Sequence, residues 1–282
     1  MKVRLLPLAL IVFLLVSYNG FSQLDDPTKP AVTTKSFYIG PFAGVNMVTH
    51  SAVIAPFEST QDPNLQCKTF QDGDGLGFYG GLSFEILLGE DAKNSNMSII
   101  GRVGYSMFPG NFEQPQDTYV SVVFDQSGNP SLVPSTVKHE AEVSYATVFA
   151  QGLFKFNPIE NNGLGIVAGI DFGLAMTKNI KQEYKLVNSG DLTFEALTQQ
   201  QLDLGYSLSA DRKTVTVKDG EINNAESFRL GLMFGVQYEI NTGGSLYFVP
   251  NLFYNYGITG VTSDYDWNIH AIQIGVDARW AL

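Results

Sequence analysis

The sequence predicts an all-β fold: an eight-stranded antiparallel transmembrane β-barrel. Three observations carry this. Eight segments long enough to cross a bilayer as tilted strands, which takes roughly 9–11 residues, alternate between two faces. The connections between them alternate between short and long. The chain also opens on a stretch built like an export signal.

That stretch comes first. Lys2 and Arg4 form a basic lead, residues 5–16 are apolar apart from Pro7, and Gly20 and Ser22 supply small residues before Gln23. Twelve apolar residues are too few to span a bilayer as a helix, so 1–22 is expected to be a cleaved signal peptide. No cysteine follows the apolar run, which argues against a lipid anchor. A polar linker, 23–35, leads into the barrel domain, 36–282.

Composition limits the function classes. The chain has 17 basic and 28 acidic residues, a formal charge of −11, and loses two more positive charges with Lys2 and Arg4. Such an acidic chain is unsuited to nucleic acid, whose phosphates demand lysine and arginine. One cysteine, Cys67, excludes an intramolecular disulfide and a thiolate zinc site; a free thiol and an intermolecular bridge both stay open. No second apolar run of about 18 residues exists, so no transmembrane helix is expected. Twenty-eight glycines and 12% aromatic residues suit a membrane barrel instead.

The strand segments lie near 36–47, 75–88, 97–108, 142–156, 164–176, 227–240, 245–258 and 268–282. In the second, Leu82, Phe84, Ile86 and Leu88 alternate with Gly81, Ser83, Glu85 and Leu87. Gly75-x-Gly77-x-x-Gly80 has the spacing of a dinucleotide-binding turn, but a polar stretch precedes it and a period of two follows. It is therefore strand, with no nucleotide expected. Asp72-Gly73-Asp74-Gly75 opens like a calcium loop, yet Leu76 and Ser83 stand where oxygen ligands are needed, so an exposed acidic turn is expected. The fifth segment sets Ile166, Ala168, Ile170, Phe172, Leu174 and Met176 against Gly165, Val167, Gly169, Asp171, Gly173 and Ala175. The sixth sets Phe228, Leu230, Leu232, Phe234, Val236, Tyr238 and Ile240 against Arg229, Gly231, Met233, Gly235, Gln237 and Glu239. In the last, Ile272, Ile274, Val276, Ala278, Trp280 and Leu282 share one face. Glycines gather on the charged face, where a narrow barrel leaves little room.

The links at 89–96, 157–163 and 241–244 are short, whereas 48–74, 109–141 and 177–226 are long and 259–267 is intermediate. With eight strands every short link falls on one side, matching short periplasmic turns and long extracellular loops. Within the third long loop, 214–221 alternates and turns, as strands continuing above the membrane would. Phe37, Tyr38, Phe108, Phe156, Tyr238, Tyr247, Tyr256 and Trp280 stand near strand ends, where aromatic girdles are expected.

GFSQ (20–23), SFYIGPFAGVN (36–46), GGLSFEILL (80–88) and IQIGVDARWAL (272–282) together resemble the small outer-membrane β-barrel proteins of Bacteroidetes, the PorT-like or outer-membrane β-barrel domain family. The resemblance implies location in the cell outer membrane and contact with its lipid. It supplies no catalytic residues. The terminal strand would engage the barrel-assembly machinery, although Leu282 replaces the usual final aromatic.

Serine–histidine chemistry needs its groups within hydrogen-bond reach. His270 is placed to face Ser106 or Tyr145, but no motif joins them. His139 with Glu140 and Glu142, and Asp264 and Asp266 before His270, offer ligand types at the rim; solvated loop acids account for both. No catalytic residue, metal or cofactor is expected. An eight-stranded interior is just wide enough for side chains to fill, which disfavours a wide pore. The expected interior carries Glu85, Asp171, Glu239 and Asp277 against Arg102, Lys155, Arg229 and Arg279, in one lumen network with Gln151, Gln237, Asn251 and Gln273. The reading is a structural or surface-binding barrel whose loops meet an extracellular or envelope protein partner. The alternatives are an outer-membrane lipid-modifying or hydrolytic enzyme with a rim site, and a narrow pore or secretion-assembly component.

Overall fold

The computed structural model describes residues 37–54, 70–88, 95–113, 117–124, 130–159, 162–187, 192–264 and 266–282. The expected signal peptide and linker, 1–35, lie outside the described residues, as do Cys67 and most of the link at 89–96.

Eight strands close on themselves: β1 (Phe37–Ile54), β2 (Phe70–Leu88), β3 (Met97–Met107), β6 (Pro130–Phe156), β7 (Leu164–Val187), β10 (Phe228–Tyr238), β12 (Leu246–Gly257) and β13 (Trp267–Ala281). Each pairs antiparallel with the next, and β13 returns to β1 from Tyr38↔Ala281 to Ala52↔Trp267. Closure leaves this ring no free edge, the condition for placing backbone amides in hydrocarbon. Each strand crosses with alternate side chains outward. Ile86, Ile99, Phe154, Phe172, Phe234 and Ile272 are exposed on that outer face, where lipid replaces water.

All eight strands begin or end within a residue or two of the sequence expectation at the short-turn end, and several run further at the other. β6 starts at Pro130 rather than 142, and β7 runs to Val187 rather than 176. Alternation continues there, but the outward residues change from Val148 and Phe154 to Lys138, Glu140 and Glu142. On β7, past the extra residue Met176 at a register shift that switches the parity, they change from Ile170, Phe172 and Leu174 to Lys181, Glu183 and Lys185. An apolar outer face was the expected mark of a strand; above the hydrocarbon the same strand faces water, so its outer face is charged. Lys185 bridges Glu140 at 2.6 Å across these two strands.

Further strands complete this projection. β4 (Gly110–Glu113) continues β3 after Phe108 and Pro109, and β5 (Asp117–Phe124) pairs with the start of β6. On the other side β9 (Thr214–Glu221) pairs with β7, and β8 (Ser207–Leu208) with β9. A one-turn helix, α1 (Gln199–Asp203), precedes β8. β9 coincides with the alternating 214–221 segment. β11 (Ile240–Asn241) closes the 241–244 turn against β12, with Gly243 at φ 87°, where a side chain would be strained.

Two expectations are corrected. Asp72–Gly75 is not an exposed turn: it lies within β2, pairing Gly73 with His50 and Asp74 with Thr49. Asp72 takes φ 46° beside the register shift between His50 and Val53, which is how the strand absorbs the irregularity. Of the girdle aromatics, Phe37, Phe156, Tyr238, Tyr256 and Trp280 share the outward face. Tyr38, Phe108 and Tyr247 sit on inward positions instead. Tyr38 pairs with Glu85 and meets Tyr247 edge-on at 5.4 Å, while Phe108 is buried.

Candidate functional site

The inward residues of the eight ring strands converge in the lumen. Seven of the eight charged residues placed there from sequence are almost fully buried, and Glu239 keeps a quarter of its side chain exposed. Burial obliges each charge to find a partner, since an unpaired one costs several kcal/mol.

They form two groups rather than one. At the short-turn end six charges make a continuous chain. Glu239 pairs with Lys155, Lys155 with Glu85, and Glu85 with Arg279. Arg279 Nη2 donates to Asp277 at 2.6 Å, and Arg102 Nη2 donates to both Asp277 oxygens at 2.7 and 2.8 Å. Three acids and three bases leave the group neutral. Neutral donors add to the carboxylates' bonds: Asn251 Nδ2 donates to Asp277 at 2.8 Å and Ser98 to Glu85. Gln237 Oε1 accepts from Arg279 at 3.3 Å. The Arg102 guanidinium also lies between the rings of Phe42 and Phe253, 4.8 and 4.9 Å from their centroids, a cation–π arrangement.

The second group is the pair Asp171–Arg229, at 2.7 Å. Gln151 Nε2 and Asn255 Nδ2 donate to Asp171 at 3.1 and 2.7 Å, and Arg229 donates to Asn255 Oδ1 and to the Ile269 carbonyl. Arg229 also sits 4.7 Å over the Phe108 ring. Gln273 joins neither group; it donates to Asn46, which donates to Ser106. Between the groups lie buried apolar side chains, among them Ile100, Leu153, Met233 and Phe253.

Several participants were not foreseen. Tyr79 crosses the lumen and donates to Asn251 at 3.1 Å. A Cβ on Gly44 would stand 2.5 Å from its ring and one on Gly275 2.3 Å from its hydroxyl oxygen, which gives both glycines a packing reason. Strand parity would have found Asn255, four residues from the inward Asn251; Asn46 lies on β1, where no inward residue was named. It would also have turned Phe108 inward.

Towards the long-loop end the lumen is apolar. Phe70, Phe108, Phe112, Tyr145, Ile180, Trp267 and Ile269 are buried in one cluster. His50 is enclosed within it. Trp267 Nε1 donates to His50 Nδ1 at 3.0 Å, so the proton resides on Nε2, which donates to the Phe108 and Pro109 carbonyls at 3.2 and 3.1 Å. His139 stacks on Tyr184 at 4.1 Å. His270 lies on the opposite face of β13 from the lumen and stacks on Tyr256 at 4.6 Å. It therefore does not meet Ser106 or Tyr145, which point inward. The parity of β13 is the reason.

The family model described as outer membrane protein beta-barrel domain matches residues 21–263. No curated protein matches the chain. Among solved structures, Neisserial surface protein A is 11% identical, with 88% of this chain and 99% of that one covered at a TM-score of 0.34. Ail, the attachment invasion locus protein of Yersinia pestis, is 11% identical over 86% and 98%, with a TM-score of 0.32. The outer membrane protease OmpT from Escherichia coli is 9% identical over 90% and 99%, with a TM-score of 0.33. At these scores the likenesses carry no argument about what this chain does.

Proposed function

Because this chain belongs to the family of outer-membrane proteins with a β-barrel domain, we propose that it is a closed barrel acting through the projection above it. The barrel is the anchor, and the projection of β5, β6, β7, β9 and β8 meets a partner outside the cell. No catalysis is part of this reading. The single observation that carries it is the filled lumen. The six-charge chain and the Asp171–Arg229 pair occupy the interior, and the Trp267–Phe112–Phe70 cluster lies across its long-loop end. A conducting pore would leave such charges hydrated, with no need for partners from opposite strands.

The finer likeness to PorT-like barrels belongs with this proposal, supported by the residues that carry it. So do the outward orientation of the long loops and engagement of the assembly machinery by β13. Hydrolytic chemistry draws no support from the histidines, since rings or hydrogen bonds engage all three. The test is conductance in planar bilayers. The purified protein is expected to give little steady current at any voltage that the bilayer tolerates. A large, stable single-channel current would overturn the reading.

A further inference from the structure

The face of the projection that continues the lumen wall carries a second concave site. After β7 the chain returns across this face. The Phe194 amide donates to the Arg212 carbonyl at 2.8 Å, and a capping box between Thr198 and Gln201 starts α1. The helix stops at Leu204 because Gly205 takes φ 85°, the left-handed conformation that glycine adopts at no steric cost. That turn carries Tyr206 back towards the strands. Between this return and the strands lies a cavity of about 500 Å³ with walls that include Tyr184, Phe194, Glu195, Tyr206 and Val215. Its size is that of a small-molecule pocket.

The lining has a definite chemistry. Three aromatic rings and the valines of β9 supply apolar surface. The polar side chains of Thr198 and Gln201 are engaged in the capping box. Glu195 brings the only charge among the described lining residues, none of which is a lysine, arginine or histidine. Tyr184 is held from behind by its stack on His139, so this wall is formed before any ligand arrives. Aromatic faces attract cations through the ring quadrupole, and a carboxylate adds a charge-assisted partner. An anion would meet Glu195 with no compensating base.

We propose that this pocket binds a small organic cation: an ammonium group carried on an aromatic or apolar body. The inference deepens the reading of the projection as the working surface and rests on it. Benzyltrimethylammonium is the probe, titrated calorimetrically into the full-length protein in zwitterionic lipid nanodiscs, with benzoate and benzyl alcohol as charge controls. Saturable binding with a Kd on the order of 1 mM or tighter is expected for the cation. Glu195→Gln should weaken it about fivefold, Glu195→Asp should restore most of it, and Tyr206→Ala should weaken it by a similar factor. Glu195 is exposed, so its variants are expected to fold. No saturable binding, equal binding by Glu195→Gln, or equal affinity for benzoate or benzyl alcohol would overturn the inference. A nanodisc opens both faces, so orientation in the cell does not enter. Cation binding by a barrel that proved to conduct would support the pocket and remove only the sealed lumen.

Discussion

Arg102 on β3 and Asp277 on β13 meet across the lumen, although 175 residues separate them: one guanidinium nitrogen lies within 2.8 Å of both carboxylate oxygens. Both side chains are fully buried. Arg102→Ala leaves Asp277 with Arg279 and Asn251 as partners and empties the space between Phe42 and Phe253. Removing one partner of a buried pair typically costs about 3–5 kcal/mol. Lys138 pairs with Glu113 and Glu140 in water, and Lys138→Ala should cost less than about 1 kcal/mol. Urea unfolding of both variants in the same micelles gives the comparison. Equal tolerance would show that water, rather than Asp277, solvates Arg102.

The two tryptophans report opposite environments. Trp267 is buried in the apolar cluster, donating to His50, whereas Trp280 is 42% exposed on the lipid face. Brominated lipid should strongly quench the emission of Trp267→Phe, in which only Trp280 remains. It should barely touch Trp280→Phe, whose remaining indole is inside the barrel. Reversed quenching would invert the faces of β13. Trp267→Ala should also destabilise the fold by roughly 3–5 kcal/mol through the cavity that it leaves.

Strand parity made much of this legible. Counting by twos along IQIGVDARWAL separates Asp277 and Arg279 from the opposite face of Val276 and Trp280 without any structure. Pairing was not legible: nothing local tells Arg279 to meet Glu85, 194 residues away. Nor could parity divide the charges into two groups, because the division is by height in the barrel and depends on register. The shift between Ala146 and Thr147 escaped, because no glycine or proline stands there. At the break between β3 and β4, Pro109-Gly110 signals an interruption but not that a strand resumes at once as β4. The cavity by Glu195 is assembled from residues 184 to 217, so no short motif could announce it.

Orientation in the cell has a simple check. Arg212 is exposed, with φ 54°, in the turn between β8 and β9. Trypsin added to intact cells should cut at Arg212 or Lys213 and spare Lys93, in the short 89–96 link. After the envelope is opened, Lys93 should also become a target. Cleavage at Lys93 in intact cells with Arg212 protected would place the projection on the inner side.

The last prediction concerns pH and the outer ends of β6 and β7. His139 packs against Tyr184 and Phe70, with ring centroids 4.1 and 4.4 Å away, and burial pushes its pKa down to about 4. An unfolded histidine titrates near 6.5. Between these values the unfolded chain takes up a proton that the folded projection refuses. The contribution of His139 is therefore fully present above about pH 6.5 and is lost as pH falls towards 4. At ~1.4 kcal/mol per unit, the upper limit is about 3.5 kcal/mol. Glu140 and Glu183 work in the same direction at lower pH. Burial opposes their ionisation, but hydrogen bonds from Lys138 and Lys185 to Glu140, and from Lys181 and Lys185 to Glu183, outweigh it. Both carboxyls are held below the usual range, so their stabilisation disappears only as pH falls through those lowered values. Amide exchange in 135–141 and 180–187, corrected for intrinsic rates, should show protection falling from pH 6.5 to 4.5. In His139→Phe, which keeps an aromatic ring on Tyr184, that fall should flatten. Protection that stays level in the wild type, or falls equally in the variant, would show that His139 is not the titrating group.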